Sequence, residues 1–295
     1  MNKNMKIASY WNGHDCNFFV MDSGITISHL EYERILREKE PKGNAIDLLF
    51  THYKDFLNIK HVCTVYPTSK VKEYEAEYNK LHEIVKDNNG QFLTVGHHQA
   101  HNANSYYCSN FNDAVLISCD GGGSEDDNTH TSCTIWYGKD NKIFHIKTFP
   151  INQVNIGSVW SRVTRYVFRL SAGYPRGGQM GSLMSMSAFG DATKYYNDFY
   201  TMLTKDVVHA AARPPGHPQI FINGKDPIHP YLDRWLKIAD RSEQDQFDLA
   251  AGLQAASETL CKQIIQHAID ICPASKNICF SGGVFLNSVI VGKAK

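Results

Sequence analysis

The stretch Asp113-Ala114-Val115-Leu116-Ile117-Ser118-Cys119-Asp120-Gly121-Gly122-Gly123 organises everything around it. An apolar run of this length reads as a buried strand, and the glycines read as the turn that ends it. After it, Ser132–Tyr137 and Ile143–Phe149 read as two more strands, joined by the turn Gly138-Lys139-Asp140-Asn141. A helix over Val159–Leu170 follows. Further on come a long helix from about Gln244 to Ile271 and a strand at Asn277–Ser281, closed by Gly282-Gly283.

Upstream, the same order of elements occurs once already. Lys6–Trp11, Cys16–Asp22 and Ile25–Glu33 read as three strands, with Asp22-Ser23-Gly24 as a hairpin turn. Asn44–Phe56 has helical periodicity. Val62–Tyr66 reads as a strand stopped by Pro67, and Val71–Val85 as a charged amphipathic helix. Phe92–Val95 is a further strand, and a helix begins at His97. No sequence repeat is visible; what repeats is a three-strand meander followed by helix and strand.

Two βββαβα halves of this kind make an α/β architecture of the actin-like type, shared by sugar kinases and heat-shock chaperone ATPases. In that plan, glycine turns after the first strand of each half point N–H groups at one phosphate chain. The expected halves are residues 1–111 and 112–295. Residues 205–230 have no periodic pattern and read as a loop. The chain ends at Lys295, just where a helix should start after Asn287, so the second half reads as incomplete.

Composition narrows the function classes. The chain has 295 residues, 42% of them hydrophobic and 12% aromatic, which excludes disorder over most of its length. Lys+Arg and Asp+Glu balance at 30 each, so there is no basic surplus to signal nucleic acid. No window of about 18 apolar residues predicts a membrane span. Met1-Asn2-Lys3-Asn4-Met5-Lys6 runs straight into a strand pattern, so no signal peptide is expected. The eight cysteines form no Cys-x-x-Cys pair and mostly sit in apolar runs, the usage of a reducing, cytoplasmic setting.

Five constellations can carry chemistry. In Gly96-His97-His98-Gln99-Ala100-His101, His97 and His101 fall one helical turn apart, which suits two imidazoles on one metal or, equally, a helix start with surface histidines. Asp120 beside Gly121, Gly122 and Gly123 is either a metal or phosphate position or the cap of a tight turn. Two histidines and one aspartate make an N,N,O donor set suited to Fe(II) or a similar divalent ion. His14, in Gly13-His14-Asp15, is a candidate general base or a solvated turn residue. Gly282 and Gly283 allow close approach of a nucleotide, a signal that many turns share. Arg162, Arg165 and Arg169 fall on one face of the expected helix, for a phosphate or for solvent.

Taken together these residues resemble the O-carbamoyltransferases of the nodulation and antibiotic-tailoring type, whose first domain is related to tRNA threonylcarbamoyl-transfer proteins. The matching stretches, in order, begin with Gly13-His14-Asp15, Glu31 to Lys39, His97 to Tyr107 and Asp120-Gly121-Gly122-Gly123-Ser124-Glu125. They continue with Gly157 to Tyr166, Leu183 to Gly190, Asp248 to Gln254 and Gly282-Gly283-Val284-Phe285-Leu286-Asn287. Where the family carries a lysine before Met184 this chain has Ser182, and the glycine that follows is Ser185.

The resemblance implies an enzyme that moves a carbamoyl group from carbamoyl-adenylate onto a hydroxyl. The adenylate is made from carbamoyl phosphate and ATP by a C-terminal domain absent from these 295 residues, so the sequence reads either as a fragment of a longer chain or as part of a split enzyme that a second polypeptide completes. Carried over, His97, His101 and Asp120 are metal ligands, and His14 sits near the acceptor hydroxyl, with His98 the second candidate for the proton. Gly121, Gly122, Gly123, Gly282, Gly283 and Asn287 line the nucleotide, and Arg162 is offered for a phosphate. The competing readings are an actin-like ATPase or sugar kinase, which needs Mg²⁺ and a carboxylate base, and a non-catalytic half of a split enzyme.

Overall fold

In a computed structural model the described residues are 5–13, 15–38, 41, 43–65, 74–125, 129–151, 153–170, 179–204 and 230–294. Two compact units appear. The first comprises Met1–Ala100, Ser124–Asn128 and Ala172–Gly177, and the second comprises His101–Gly123, Thr129–Ser171 and Gly178–Lys295. The expected loop at 205–230 lies almost wholly outside the described residues. Among the described residues no helix is long and apolar enough to cross a membrane.

The first unit is built on a five-stranded sheet ordered β3-β2-β1-β4-β5. Its strands are β1 (Lys6–Trp11), β2 (Asn17–Asp22), β3 (Ile25–Glu31), β4 (His61–Val65) and β5 (Gln91–Val95). β1 pairs antiparallel with β2 and parallel with β4. Ser23 (φ 53) and Gly24 (φ 88) are both left-handed, the turn that matches strand twist in a two-residue hairpin. The predicted third strand stops two residues early, because Tyr32–Leu36 turns into helix α1. α2 (Ala45–His52) starts where Asn44 predicts, with the Asn44 side chain accepting from the Ile46 and Asp47 amides. The buried Asn12 accepts from the Ala45 amide at 2.8 Å, fixing α2 to the end of β1. Ile46 and Leu49 of α2, with Leu81 and Val85 of α3 (Glu75–Asp87), close the core over Ala8, Tyr10, Phe18 and Val20.

The second unit repeats the order as β8-β7-β6-β9. The strands are β6 (Asp113–Ser124), β7 (His130–Lys139), β8 (Lys142–Pro150) and β9 (Ile278–Ser281). β9 pairs parallel with β6. β6 corrects one expectation. It does not end in a turn at Asp120 but runs through the three glycines to Ser124, and Gly122 takes φ 129, a conformation open only to a residue without Cβ.

Why β6 is continuously apolar follows from burial on both faces. Val115, Ile117 and Cys119 join the large core. That core includes α5 (Ile156–Arg162), α6 (Met180–Met186), α7 (Tyr196–Thr204), α8 (Pro230–Ala239) and the long α9 (Glu243–Ile271). Ala114 and Leu116 point the other way and pack with Tyr106 and Cys279. The expected helix over Val159–Leu170 is shorter. α5 passes into a π-helical turn at Val163–Val167, and Arg169 lies beyond it with φ 55, ion-paired to Asp240 at 3.1 Å. The three arginines therefore do not form one helical face.

All eight cysteines are free thiols, and six of them are buried. A hydrogen bond to Cys133, with burial, pushes the Cys119 thiol well above its ordinary value.

Candidate metal centre

Helix α4 (His97–Tyr107) begins directly after β5 and Gly96. The Glu125 carboxylate, just past the end of β6, accepts from the His98 amide at 3.0 Å and caps this first turn. It lies so close that a Cβ on Gly96 would stand 2.1 Å from Glu125 Oε2. A side chain at 96 would push the Glu125 carboxylate out of this position.

The even-numbered residues of β6 face α4 in register. Leu116 shares a cluster with Tyr106, Ser118 bonds Asn102, and Asp120 meets His101. The alternation of the strand thus delivers a carboxylate to the helix face that carries the histidines. His101 Nε2 and Asp120 Oδ2 are 3.1 Å apart, with side-chain exposures of 34% and 28%, so the pair remains open to solvent. His97, His101 and Asp120 each offer one donor atom, all within 4.8 Å of one another.

Three glycines let the chain crowd around Asp120. A Cβ on Gly157 would lie 2.6 Å from the Asp120 carbonyl carbon, and one on Gly282 (φ 85) 2.3 Å from the Cys119 carbonyl oxygen. At Gly283 the amide donates to Asp120 Oδ2 at 3.3 Å. The Gly121 amide donates to Asp120 Oδ1 at 2.6 Å. Two of the N–H groups expected to hold a phosphate are therefore engaged by the aspartate.

Beneath the donor set lies a buried polar network. Asn102 Nδ2 donates to Ser118 Oγ at 3.1 Å and to Thr134 Oγ1 at 3.2 Å, while Asn102 Oδ1 accepts from Ser281 Oγ at 3.4 Å. Ser118 Oγ and Thr134 Oγ1 are 2.9 Å apart, and Trp136 Nε1 donates to Thr134 Oγ1 at 3.0 Å. The sequence reading assigned no role to Asn102 or Glu125. The only local signal was a serine inside an apolar strand, which a buried strand tolerates when the hydroxyl has a partner.

The remaining predicted residues are distributed as follows. His14 lies outside the described residues. His98 is fully buried, out of reach of a dissolved acceptor. Arg162 ends α5 and is half-buried. Asn287 caps α10 (Ser288–Lys293), accepting from the Val289 and Ile290 amides, and it donates to Gln254 Oε1 at 2.8 Å. Its side chain is thus occupied by the fold. Gly123 is buried, whereas Gly122 is half-buried.

The donor set fits a divalent ion. First-row ions hold N and O ligands at about 2.0–2.2 Å, so donors sharing one ion stand no more than about 4.4 Å apart. Adjacent donors on one ion stand roughly 3–3.5 Å apart, so closing a set that lies within 4.8 Å takes side-chain rotation of about an ångström. Two imidazoles and a carboxylate, with further positions open, match the requirement of Fe(II) or Zn²⁺ better than the all-oxygen preference of Mg²⁺.

The chain is similar to nodulation protein NolNO of Sinorhizobium fredii (strain NBRC 101917 / NGR234), at 24% identity over 205 residues. That match covers 68% of this chain and 26% of the relative, so the chain spans about a quarter of the curated protein it resembles. Its structure is similar to that of T. kodakarensis HypF, with a TM-score of 0.51 and 14% identity over 100% of this chain and 44% of that one. At that identity the likeness concerns fold, and it agrees with the actin-like arrangement of doubled βββαβα halves. Residues 62–294 match the family described as Carbamoyltransferase N-terminus, and the chain belongs to that family.

Proposed function

We propose that this chain performs the transfer step of an O-carbamoyltransferase, passing a carbamoyl group from carbamoyl-adenylate to a hydroxyl of a small molecule or nucleoside. The observation that carries the reading is the His97–His101–Asp120 donor set, in a chain of the carbamoyltransferase family. Held by these three residues, a divalent ion, Fe(II) or similar, supplies Lewis acidity toward a carbonyl or phosphoryl oxygen without changing redox state.

The chain's own groups have separate tasks in this proposal. Asp120 is held by the Gly121 and Gly283 amides, which leaves one carboxylate face toward His101. Gly122, Gly123 and Gly282 provide side-chain-free backbone beside it for the adenylate phosphate. Arg162 is a further candidate for that phosphate. His14 takes the acceptor proton as the hydroxyl oxygen attacks. The full burial of His98 favours His14 over it. Carbamoyl-adenylate, from carbamoyl phosphate and ATP, is supplied from outside these 295 residues. A second polypeptide is one such source, and the cytoplasm is the proposed setting.

Anaerobic purification with quantification of iron, zinc and manganese tests the reading. About one ion per chain is expected, lost in both His97→Ala and His101→Ala. The same preparation, given carbamoyl-adenylate and a panel of sugar and nucleoside alcohols, should release AMP in step with carbamate ester. A wild-type chain that binds only Mg²⁺ and transfers phosphate instead would support the kinase alternative and overturn ours.

A further inference from the structure

The network under α4 has more side-chain partners than helix anchoring requires. Asn102 is fully buried and follows His101 directly in the chain. Its amide reaches Ser118 of β6, Thr134 of β7 and Ser281 of β9. Ser118 stands two residues before Asp120 on the same strand face, and Ser281 two residues before Gly283, whose amide holds Asp120. One side chain therefore ties the helix that carries both histidines to the two strands that present and orient the carboxylate.

The geometry points to Asn102 as the positioning residue of the donor set, fixing the rotation of α4 so that His101 meets Asp120. It is not itself a ligand, since its amide is consumed by the network. A purely apolar residue would pack in the same space but would leave the rotation of the helix about its axis set by dispersion contacts alone. Directional bonds to three strands allow one rotation only. An aspartate would not substitute, because it lacks the amide hydrogens that Ser118 and Thr134 accept and would bury a charge in their place.

This inference rests on the proposed metal site for one of its two readouts. The test is a cobalt(II) titration of the full chain, followed by absorption, in the wild type, Asn102→Ala and Phe199→Leu. The last variant disturbs the buried stack of Phe199 in α7 on Trp235 in α8, and controls for general loss of stability. All three are compared at a temperature where each is folded. Removing an outer-shell partner typically weakens metal binding about 10- to 100-fold. That loss is expected for Asn102→Ala, with Phe199→Leu within about threefold of wild type.

Equal weakening in both variants, or none in Asn102→Ala, overturns the positioning role. If the wild type binds no cobalt, it is the metal reading that falls, and the second readout decides. NMR contacts between the His101 ring and the Asp120 methylene should be present in wild type and lost in Asn102→Ala. Their survival in the variant overturns the inference whether or not a metal binds.

Discussion

β1 and β6 hold the same place in their sheets, each followed by two meander strands and later joined by a parallel neighbour. They solve different problems. β1 is six residues long and buries Ala8 and Tyr10 on one face only, while its end delivers Asn12 to the start of α2. β6 is twelve residues long and unbroken in its burial from Ala114 to Cys119. One face of β6 is apolar from Val115 through Ile117 to Cys119. The other turns from apolar to polar along its length, from Leu116 through Ser118 to Asp120. The same plan thus yields a fold-building strand in one unit and a site-building strand in the other, and what separates them is a partner helix that offers polar groups at matched spacing.

Glycine substitution is the strongest way to test that contrast. Gly282→Ala should cost about 3 kcal/mol or more, since its Cβ would meet the Cys119 carbonyl at 2.3 Å and its φ is positive. Gly24→Ala in the first unit has the same left-handed φ but nothing within 4 Å, so about 1–2 kcal/mol of strain is all it should lose. Urea unfolding measures both. Equal losses would show that crowding around Asp120 is not what requires glycine in the second unit.

Acid is the next lever, and it too should act through the second unit. Burial raises the Asp248 carboxyl, but the Asp191 amide, Lys194 and Gln244 outweigh it and hold it below its ordinary value. The unfolded chain takes up that proton near pH 3.9 and the folded chain only at lower pH. The resulting stability is complete above about pH 4 and disappears as pH falls through the folded value. Asp248→Asn should remove a slope of about one proton from the stability profile below pH 4. An unchanged profile would mean that other carboxylates dominate acid unfolding.

The smallest effect is expected at Arg169. Its pair with Asp240 is exposed on both sides, so Arg169→Ala should change stability by less than about 1 kcal/mol. A larger loss, read in the same urea titration, would make the pair a clamp on the π-helical turn.

Much of this was legible in the sequence because it is local. Apolar runs marked the strands, Asn44 and Asn287 marked helix starts, and the spacing of His97 and His101 survived intact as a shared helix face. What was not legible depends on partners distant in the chain. The glycines after Asp120 looked like a turn, yet pairing and packing carry the strand through them. Val159–Leu170 looked like one regular helix, and no residue in it announces the π-helical turn. His98 reads as a candidate base and Asn102 carries no role in the sequence, but both are fully buried, by elements that come from elsewhere in the chain. The cap Glu125 could not be read because it serves a helix that starts 28 residues before it.

The contact between the Gly283 amide and Asp120 spans 163 residues. During synthesis at about 5–20 residues per second, β6 therefore emerges roughly 8 to 30 s before the strand that pairs with its open edge. Through that interval a highly hydrophobic edge stands unpaired, the kind of surface that recruits chaperones or neighbouring chains. The Gly283 amide reaches Asp120 only when that strand arrives, whereas the contacts of Asp120 with Gly121 and His101 involve residues already made.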